Sequence, residues 1–567
     1  SGSAREWAAA AMGIGKSVGG CCYTRERDDD GDGKSAKMPS ARVGQKHASL
    51  VDLAAMKSSA GAIAVAGRYC TGTDISADYI MVDKVLGAGM SGDVKLATSR
   101  HGGKRVAMKS FKKLDLAADT LAELKNEVEV FLQLDHPHIA RLERVYESDS
   151  HIHLVMELMA GGELFGRLAE ADTYTEENAA KTTYMMLLAI AYLHANNLAH
   201  RDLKLENFLY EAKEGPHKDH LKLIDFGLSK FYDEDELMKQ ACGTLHYIAP
   251  EVLKHKYTQK ADLWSLGVIV YMLLTGGPPF VGTEKKVLAQ IAAGKPQWSA
   301  SWHKLSEGAR HFVKKLLVLD PEARYSAEEA LKDEWITSRE TNHAPLDRST
   351  VESLKNFGSA SSFKRAMLSM MAWNLDTNER SELREIFLAM DTEQKGTLTL
   401  SQVKTVLEDM FQVESEEAEN LFKMIDSNND NEVAYTEFLA AACVSRVKVH
   451  EDLLRKTFAR FDVDGSGQIT IDDLRSVLGD EFEGMKIEDF ISEVDTNNDG
   501  VLDYEEFIAY FFKSDAGASE DKASMKQMAS EKMSAVVDRL AKEEGADKDA
   551  AAAPPVATML RRKSTVV

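Results

Sequence analysis

The pattern of hydrophobic and polar residues changes its period along the chain. Apolar and polar residues alternate in residues 79–86 and 94–97, which predicts two β-strands around a glycine turn. Residues 123–134 have the 3.6-residue spacing of an amphipathic helix, and the same spacing recurs from Tyr184 to about Thr337. The pattern therefore predicts a small sheet followed by a mostly helical region.

Further along, the pattern is helical again and becomes repetitive. Residues 344–376 form an amphipathic stretch whose apolar positions are Leu354, Phe357, Phe363, Met367, Leu368 and Met371. Four acidic loops then begin at residues 391, 426, 462 and 495, at intervals of 35, 36 and 33 residues. Such regular intervals are typical of repeated helix-loop-helix units.

The two ends of the chain lack a sustained period. Residues 1–75 are rich in Gly, Ala, Ser and charged residues, and we expect them to be disordered. The tail, 514–567, is expected to be flexible, with a transient helix over 522–544. Between the ends, the pattern divides the chain into a folded domain (76–338), an amphipathic junction (339–376) and an acidic repeat domain (377–513).

Charge is concentrated in the repeat domain. The formal net charge of the chain is −22. Residues 376–513 hold 33 Asp and Glu against 13 Lys and Arg, so this segment alone has a net charge of −20. This excludes nucleic acid as a natural partner and favours a multivalent cation. Five scattered cysteines without metal or redox spacing indicate a reduced, cytoplasmic compartment. We expect the chain to be monomeric.

A glycine-rich turn is the first sign of phosphate chemistry. Gly87, Gly89 and Gly92 precede Val94, and backbone amides in such a turn can approach a triphosphate closely. Lys109 follows on the next predicted strand, where it could hold the α- and β-phosphates. Its carboxylate partner on the following helix is expected to be Glu127, with Glu129 and Glu123 as alternatives.

A second group of polar residues meets the other needs of phosphoryl transfer. Asp202 could position an acceptor hydroxyl, and Lys204 could steady the transferring phosphate. Asn207 and Asp225 offer oxygen ligands to Mg²⁺. These residues could instead serve as helix caps and turn residues. The presence of the complete set in the expected order favours a role in phosphoryl transfer.

These residues resemble the motifs of the eukaryotic protein kinases over residues 79–337. Lys204, and Gly243-Thr244 before Ala249-Pro250-Glu251, resemble the serine/threonine branch. The resemblance implies MgATP as cofactor, Met156 as the gatekeeper, and the backbone of Glu157 and Met159 as contacts to adenine. It also implies a Glu251–Arg324 ion pair.

Two further features concern substrate and activation. Glu163 and Glu206 match positions at which related kinases bind an arginine upstream of the target hydroxyl, although both could be ordinary surface acids. Arg201 matches a position at which related kinases often have an arginine that contacts a phosphate on the activation segment, the stretch between Asp225 and Glu251. The acidic run 233–236 predicts that no such phosphorylation is needed, unless the run is merely solvated.

Three of the acidic loops fit the twelve-residue calcium loop, which needs oxygen ligands at positions 1, 3, 5, 7 (through the backbone carbonyl), 9 and 12. In loop two the ligands are Asp426, Asn428, Asp430, Glu432 and Glu437, and in loop four Asp495, Asn497, Asp499, Val501 and Glu506. Loop three offers Asp462, Asp464, Ser466, Gln468 and Asp473, and its shorter final carboxylate predicts weaker calcium binding or a preference for Mg²⁺. We therefore expect about three competent calcium sites.

Loop one departs from the calcium pattern. It places Lys395 where a ligand should lie and the uncharged Gln402 at the final position. We expect this loop to stay empty and to pair structurally with loop two.

The order of kinase, basic junction and four EF-hands resembles the calcium-dependent protein kinases of plants and protists over residues 75–513. The resemblance implies an α+β bilobal kinase fold followed by an all-α calmodulin-like domain. It also implies a calcium-activated serine/threonine kinase whose junction blocks the substrate cleft at low calcium. Lys355, Lys364 and Arg365 could mimic a basic substrate, while Phe363, Met367 and Met371 could anchor in an EF-hand groove. A plain packing helix is the alternative.

The termini carry modification patterns. Met12-Gly13 begins a match to the myristoylation pattern, and Cys21 and Cys22 are candidates for palmitoylation, which would place the protein peripherally at a membrane. Residues 1–11 resemble a cloning remnant. Ser564 follows a basic run and could be autophosphorylated, or the tail could simply be mobile and charged.

Two other functions are compatible with this domain order. A catalytically dead, calcium-responsive scaffold is disfavoured because Lys109, Asp202, Asn207 and Asp225 are all present. A constitutive kinase with a calcium-buffering appendage is the other possibility. Peptide phosphorylation measured with calcium and with chelator separates these functions from the calcium-activated kinase.

Overall fold

The computed structural model describes residues 65, 68–72, 74–89, 92–100, 103–170, 174–232, 237–240, 242–339, 348–446, 451–483 and 485–512. The predictions for Gly13, Cys21, Cys22, the acidic run 233–236 and Ser564 lie outside these ranges. No helix within them has the length and apolar character needed to cross a membrane. The described residues form two compact units, one holding residues up to Gly358 together with 368–446, and the other holding 359–367 together with 451–512.

The first unit opens with a six-stranded sheet in the order β1-β5-β6-β4-β3-β2. Its strands are β1 (Tyr69–Thr71), β2 (Tyr79–Gly89), β3 (Gly92–Ser99), β4 (Arg105–Lys112), β5 (Leu142–Glu147) and β6 (His151–Glu157). β2 and β3 form the predicted antiparallel hairpin, and Gly89 pairs with Gly92 at its turn. The short helix α1 (Ile75–Asp78) precedes β2, and the long helix α2 (Ala118–Gln133) separates β4 from β5.

Strand β1 lies inside the region that the sequence analysis assigned to a disordered extension. It pairs in parallel with β5, with Tyr69 opposite Val145. Three residues are too few to show a period, and their pairing partner lies more than seventy residues away. The regular structure of the first unit therefore begins before residue 76.

The helical part of the first unit forms one hydrophobic core with the underside of the sheet. Its helices are α3 (Leu164–Glu170), α4 (Glu176–Ala195), α5 (Lys260–Thr275), α6 (Glu284–Ala292), α7 (Glu307–Leu316), α8 (Ala327–Leu331) and α9 (Glu334–Thr337). The short strand β7 (Gly162–Glu163) directly precedes α3, and four more short strands lie between α4 and α5, namely β8 (Leu198–Ala199), β9 (Phe208–Tyr210), β10 (Leu221–Leu223) and β11 (Lys230–Phe231). α4 and α5 are buried along most of their length because they are apolar on nearly all faces.

The junction and the first two EF-hands follow. Their helices are α10 (Arg348–Ser359), α11 (Ser362–Asn374), α12 (Thr377–Met390), α13 (Leu400–Phe411), α14 (Ser415–Ile425) and α15 (Tyr435–Arg446). Strands β12 (Leu398–Thr399) and β13 (Glu432–Val433) join loops one and two, with Leu398 opposite Val433. Loop one thus pairs with loop two as the sequence predicted.

The second unit contains the other two EF-hands. Its helices are α16 (Glu451–Phe461), α17 (Ile471–Leu478), α18 (Ile487–Val494) and α19 (Tyr504–Phe511), with a small hairpin of β14 (Glu481–Phe482) and β15 (Met485–Lys486). An isolated bridge between Ile469 and Leu502 joins loops three and four. Each loop is therefore held by a paired neighbour, as in the first two EF-hands.

Candidate functional site: a phosphoryl-transfer cleft and paired calcium loops

Lys109 on β4 and Glu127 on α2 form a buried ion pair. The Lys109 Nζ to Glu127 Oε1 distance is 2.8 Å. Among the three carboxylates considered, the structure thus pairs the lysine with Glu127. Burial lowers the pKa of Lys109, but the carboxylates of Glu127 and Asp225 outweigh burial and raise it overall. The ammonium stays charged and is held where it can meet phosphate.

Asp202 lies at the centre of a polar group. Its Oδ1 accepts a hydrogen bond from the Thr244 hydroxyl at 2.8 Å, and its Oδ2 accepts one from the Lys204 ammonium at 2.5 Å. The Asn207 amide nitrogen donates to the Asp202 carbonyl at 2.9 Å, which leaves the amide oxygen as a ligand atom. The predicted residues Asp202, Lys204 and Asn207 thus contact one another, and Thr244 joins them from a later part of the chain.

The segment that carries Asp225 has an unusual backbone. Asp225 and Arg201 both have positive φ angles, of 67° and 69°, which non-glycine residues rarely adopt. The next side chain, Phe226, is fully buried, with its ring centroid 5.0 Å from that of Phe131 on α2 and 5.4 Å from that of His200. Packing therefore holds Asp225 in a strained conformation beside the cleft.

Asp262 on α5 fixes the other side of this segment. Its carboxylate accepts hydrogen bonds from the backbone N–H groups of His200 and Arg201, both at 2.9 Å, and contacts His194 Nε2 at 2.9 Å. Sequence reasoning missed this residue, because nothing adjacent to it in the chain marks its role.

The nucleotide side of the cleft is formed by the β2–β3 hairpin and the end of β6. Val94 lies opposite Lys109 in the β3–β4 register. A Cβ built on Gly87 would meet no protein atom within 4 Å, so this side of the hairpin is open to a ligand. Met156 and Glu157 end β6, and Met159 follows with 9% of its surface exposed. The residues predicted to contact nucleotide thus lie on, or directly after, strands of the same sheet.

Two acidic residues predicted to meet substrate are close together and accessible. Glu163 lies on β7 and Glu206 in the 3₁₀ turn Leu205–Asn207. Partial burial and the nearby Glu206 raise the pKa of the Glu163 carboxyl above its usual value. Separately, Arg324 and Glu251 form the implied ion pair, with Nη1 to Oε1 at 2.6 Å and Nη2 to Oε2 at 3.0 Å.

Loops two and four have the backbone of a calcium loop. The first carboxylate of each accepts hydrogen bonds from the loop's own backbone, from Asn431 N–H to Asp426 at 3.0 Å and from Gly500 N–H to Asp495 at 2.8 Å. Asn431 takes the left-handed conformation (φ 67°) that position 6 requires. This donor set of carboxylates and amides fits a hard, oxygen-seeking cation.

The final carboxylates of these loops are withdrawn from solvent, Glu506 almost fully and Glu437 in part. Glu437 accepts hydrogen bonds from the backbone of Ser427 and Ala434, both at 2.9 Å, and Glu506 accepts one from Thr496 at 2.9 Å. Burial raises the pKa of the Glu437 carboxyl to about 7, against the effect of its hydrogen bonds. Buried carboxylates without a cation charge are costly, so these positions suit a bound metal.

Loop three also gathers its acids. One oxygen from each of Asp462, Asp464 and Asp473 lies within 4.8 Å of the others, an arrangement that could hold a metal ion. In loop one, by contrast, Lys395 pairs with Glu393 at 2.9 Å. The lysine thus neutralises an acid that a calcium loop would offer to the metal.

Lys355 and Arg365 of the junction each contact an EF-hand acid within their own unit. Lys355 Nζ lies 2.8 Å from Glu417 in the first unit. In the second unit, Arg365 Nε lies 3.0 Å from Glu483, and the Phe363 ring packs against Phe461, Phe490 and Tyr510. Lys364 forms contacts too. Met367 and Met371 are fully buried.

A buried charge cluster around Glu157, which begins the hinge segment 157–159 that is predicted to contact adenine, was not foreseen. Lys222 contacts the Glu157 carboxylate at 2.8 Å and Glu211 at 3.3 Å. Arg380 on α12 reaches Glu157 at 2.7 Å, and Arg384 reaches Glu211 at 3.1 Å. The Glu157 side chain therefore connects the hinge to the first EF-hand, and only its backbone is left for the predicted adenine contact.

Comparison with known proteins decides the family. Residues 80–336 match the protein kinase domain family, and residues 380–443 and 451–512 each match the EF-hand domain pair. The chain is 37% identical over 449 residues to calcium-dependent protein kinase 17 of Arabidopsis thaliana, covering 78% of this chain and 84% of the relative. This chain belongs to the calcium-dependent protein kinases.

Two further relatives agree. Calcium-dependent protein kinase 34 of Arabidopsis thaliana is 36% identical over 516 residues, covering 88% of this chain and 97% of the relative. Calcium-dependent protein kinase 19 of Oryza sativa is 36% identical, covering 75% and 81%. As a member of the calcium-dependent protein kinases, this protein is a calcium-activated serine/threonine kinase that uses ATP with Mg²⁺ and binds Ca²⁺ through its EF-hands.

Proposed function

We propose that the junction blocks the substrate cleft at low calcium and leaves it when the EF-hands bind calcium. The observation that carries this proposal is the ion pair between Arg365 and Glu483, with Nε to Oε2 at 3.0 Å. A guanidinium that is bound to an EF-hand carboxylate cannot simultaneously bind the acids beside the cleft. When calcium binding draws the junction onto the EF-hands, the acids beside the cleft are therefore left free to bind a basic substrate.

In the same proposal, the cleft residues act as the motifs imply. Asp202 positions the acceptor hydroxyl, and Lys204 steadies the transferring phosphate. Lys109, oriented by Glu127, meets the α- and β-phosphates. Asn207 and Asp225 are the ligands of Mg²⁺, which neutralises phosphate charge when it is bound.

The substrate is proposed to be a protein segment with an arginine upstream of its serine or threonine. The proximity of Glu163 and Glu206 supports this, since two adjacent carboxylates favour a guanidinium. We further propose three competent calcium loops, a monomeric enzyme, and peripheral attachment to the cytoplasmic face of a membrane. The attachment rests on the acylation pattern at Gly13, Cys21 and Cys22 alone.

Peptide kinetics test the substrate proposal. The double variant Glu163→Gln/Glu206→Gln should lose about ten-fold or more in kcat/KM for an arginine-containing peptide, and little for the same peptide with alanine in that place. Glu214→Gln, an exposed acid on the same domain, is the matched control. Equal losses on both peptides would rule out a role in arginine recognition.

Activity in chelator tests the blocking role. Replacing Lys355, Lys364 and Arg365 together by alanine should raise phosphorylation measured in chelator, because the junction loses its resemblance to a basic substrate. Activity in chelator that stays as low as in the unmodified protein would contradict the proposal.

A further inference from the structure

The turn Asp135-His136 follows directly after α2, the helix that carries Glu127. Glu127 lies six residues before Gln133, the last residue of α2, which corresponds to about 9 Å at the helical rise of about 1.5 Å per residue, and Asp135 follows two residues later. Since a helix is stiff over two turns, whatever holds this turn also holds the end of α2. The turn is therefore a point from which the Lys109–Glu127 pair can be influenced.

Asp135 caps a helix of the second EF-hand. Its carboxylate accepts hydrogen bonds from the backbone N–H of Thr436 at 2.7 Å and from the Thr436 hydroxyl at 2.8 Å. The Asp135 backbone N–H in turn donates to the Tyr192 hydroxyl at 3.0 Å. The first N–H groups of a helix have no partner within the helix, so a carboxylate at the start of α15 stabilises it.

Thr436 is the eleventh residue of loop two, and the neighbouring Glu437 is the final ligand position. Thr436 is buried, with 5% of its surface exposed. Because residues 436 and 437 are adjacent at the start of one helix, a side chain that fixes Thr436 also restricts the backbone that presents Glu437.

His136 packs against loop one. Its ring stacks on Tyr192 with centroids 4.9 Å apart. A Cβ built on Gly396 would lie 2.5 Å from His136 Cδ2 and 2.7 Å from Tyr192 Cδ2, so only glycine fits. Gln394 Nε2 also donates to the Tyr184 hydroxyl at 3.3 Å. Loop one, in which Lys395 and Gln402 stand at ligand positions, thus fits closely onto the kinase domain.

The last turn of α2 is held from a second direction. The carbonyl of Leu132 accepts a hydrogen bond from the buried Arg68. The Arg68 guanidinium lies 4.1 Å from the ring centroid of Trp373, and that of Arg141 lies 4.6 Å from the same ring. Trp373 is at the end of α11, just before the first EF-hand. Trp373 therefore acts on the last turn of α2 through Arg68.

We propose that Asp135 is a positioning residue that couples calcium occupancy of loop two to the placement of α2, and that loop one is a calcium-independent docking loop for the kinase domain. β12 and β13 join the two loops, so they contact the turn as one body. Coupling between binding sites is reciprocal, so the contact that helps to position α2 must also change the calcium affinity of loop two. This inference rests on calcium binding by loop two and not on the blocking role of the junction.

Calorimetry on the full chain tests the coupling. With Asp473→Asn and Glu506→Gln in the background, loop two can be titrated with calcium alone. Asp135→Ala should weaken its affinity about five-fold or more. Thr436→Val, which removes the hydroxyl but keeps the N–H, should have a smaller effect, and Thr436→Ser should restore the original affinity. Asp149→Ala, which removes an exposed charge from the same domain, is the control.

Two results would overturn the proposal. Unchanged calcium affinity in Asp135→Ala would make the residue merely structural, even if phosphorylation fell. Equal weakening by Asp149→Ala would show that only net charge matters. If Asp135→Ala fails to fold, Asp135→Asn and Thr436→Val carry the same comparison. Failure of the junction proposal would instead appear as unchanged activity in chelator, with the calorimetric result intact.

Discussion

Arg380 and Arg384 show how single residues join the regulatory region to the kinase domain. They lie four positions apart on α12, so both point to the same face of the helix. Their partners Glu157 and Glu211 share Lys222 between them. All five side chains are buried or nearly so, and the two glutamates would be left with one lysine if the arginines were removed. Each arginine is therefore needed to balance buried negative charge.

Arg380→Ala should lower the free energy of unfolding by about 3 kcal/mol, because it leaves a buried carboxylate with one partner fewer. Urea denaturation of the full chain measures this change. Arg475→Ala removes an arginine from exposed ion pairs and is the control, with an expected loss of less than about 1 kcal/mol. Similar losses in both variants would mean that the buried pairs contribute no more than surface ones.

At the scale of residues, the sequence supports a prediction where chemistry imposes a local pattern. Lys109, Asp202, Asn207 and Asp225 occur in short motifs, and the structure brings them to one cleft. The pair of Arg380 with Glu157 spans 223 residues, and no local pattern announces it. Two arginines at a four-residue spacing in an acidic domain were the available signal, but they equally suit an exposed helix face.

Elements were predictable in proportion to their length and repetition. The β2–β3 hairpin, the long helices and the pairing of loops one and two followed from period and spacing. Strand β1 did not, because three residues have no measurable period and its partner is distant. The sequence itself shows that Lys395 and Gln402 occupy ligand positions of loop one. The fit of this loop against His136 and Tyr192 depends on tertiary packing and has no such local signal.

Gly396→Ala should loosen loop one from the kinase domain. The new methyl group would meet two buried rings at less than 3 Å, in addition to the strain of a positive φ angle of 81°. Hydrogen exchange of residues 391–402 in the full chain should become faster. Gly465→Ala has comparable backbone strain, with φ 71°, but its Cβ meets no atom within 4 Å. Unchanged exchange in loop one of the Gly396 variant would show that the close fit contributes nothing.

At the scale of the whole molecule, the first EF-hand pair shares one compact unit with the kinase domain. Domain order alone predicted calcium control, since it places a cation-binding module after the catalytic module. It left open whether the regulatory region only blocks the cleft or also supports the active kinase. The contacts of Arg380, Arg384 and Thr436 with the kinase domain favour a supporting role.

Removal of residues 344–567 separates these roles. The shortened protein should phosphorylate peptide equally with calcium and with chelator, because the junction is gone. Its activity should nevertheless remain well below that of the calcium-saturated full chain, since Glu157, Glu211 and Asp135 lose their partners from the first EF-hand pair. Steady-state kinetics of both proteins, with and without calcium, measure the difference. Activity equal to that of the full chain would mean that the regulatory region acts only as a plug, and complete inactivity would mean that its support is indispensable.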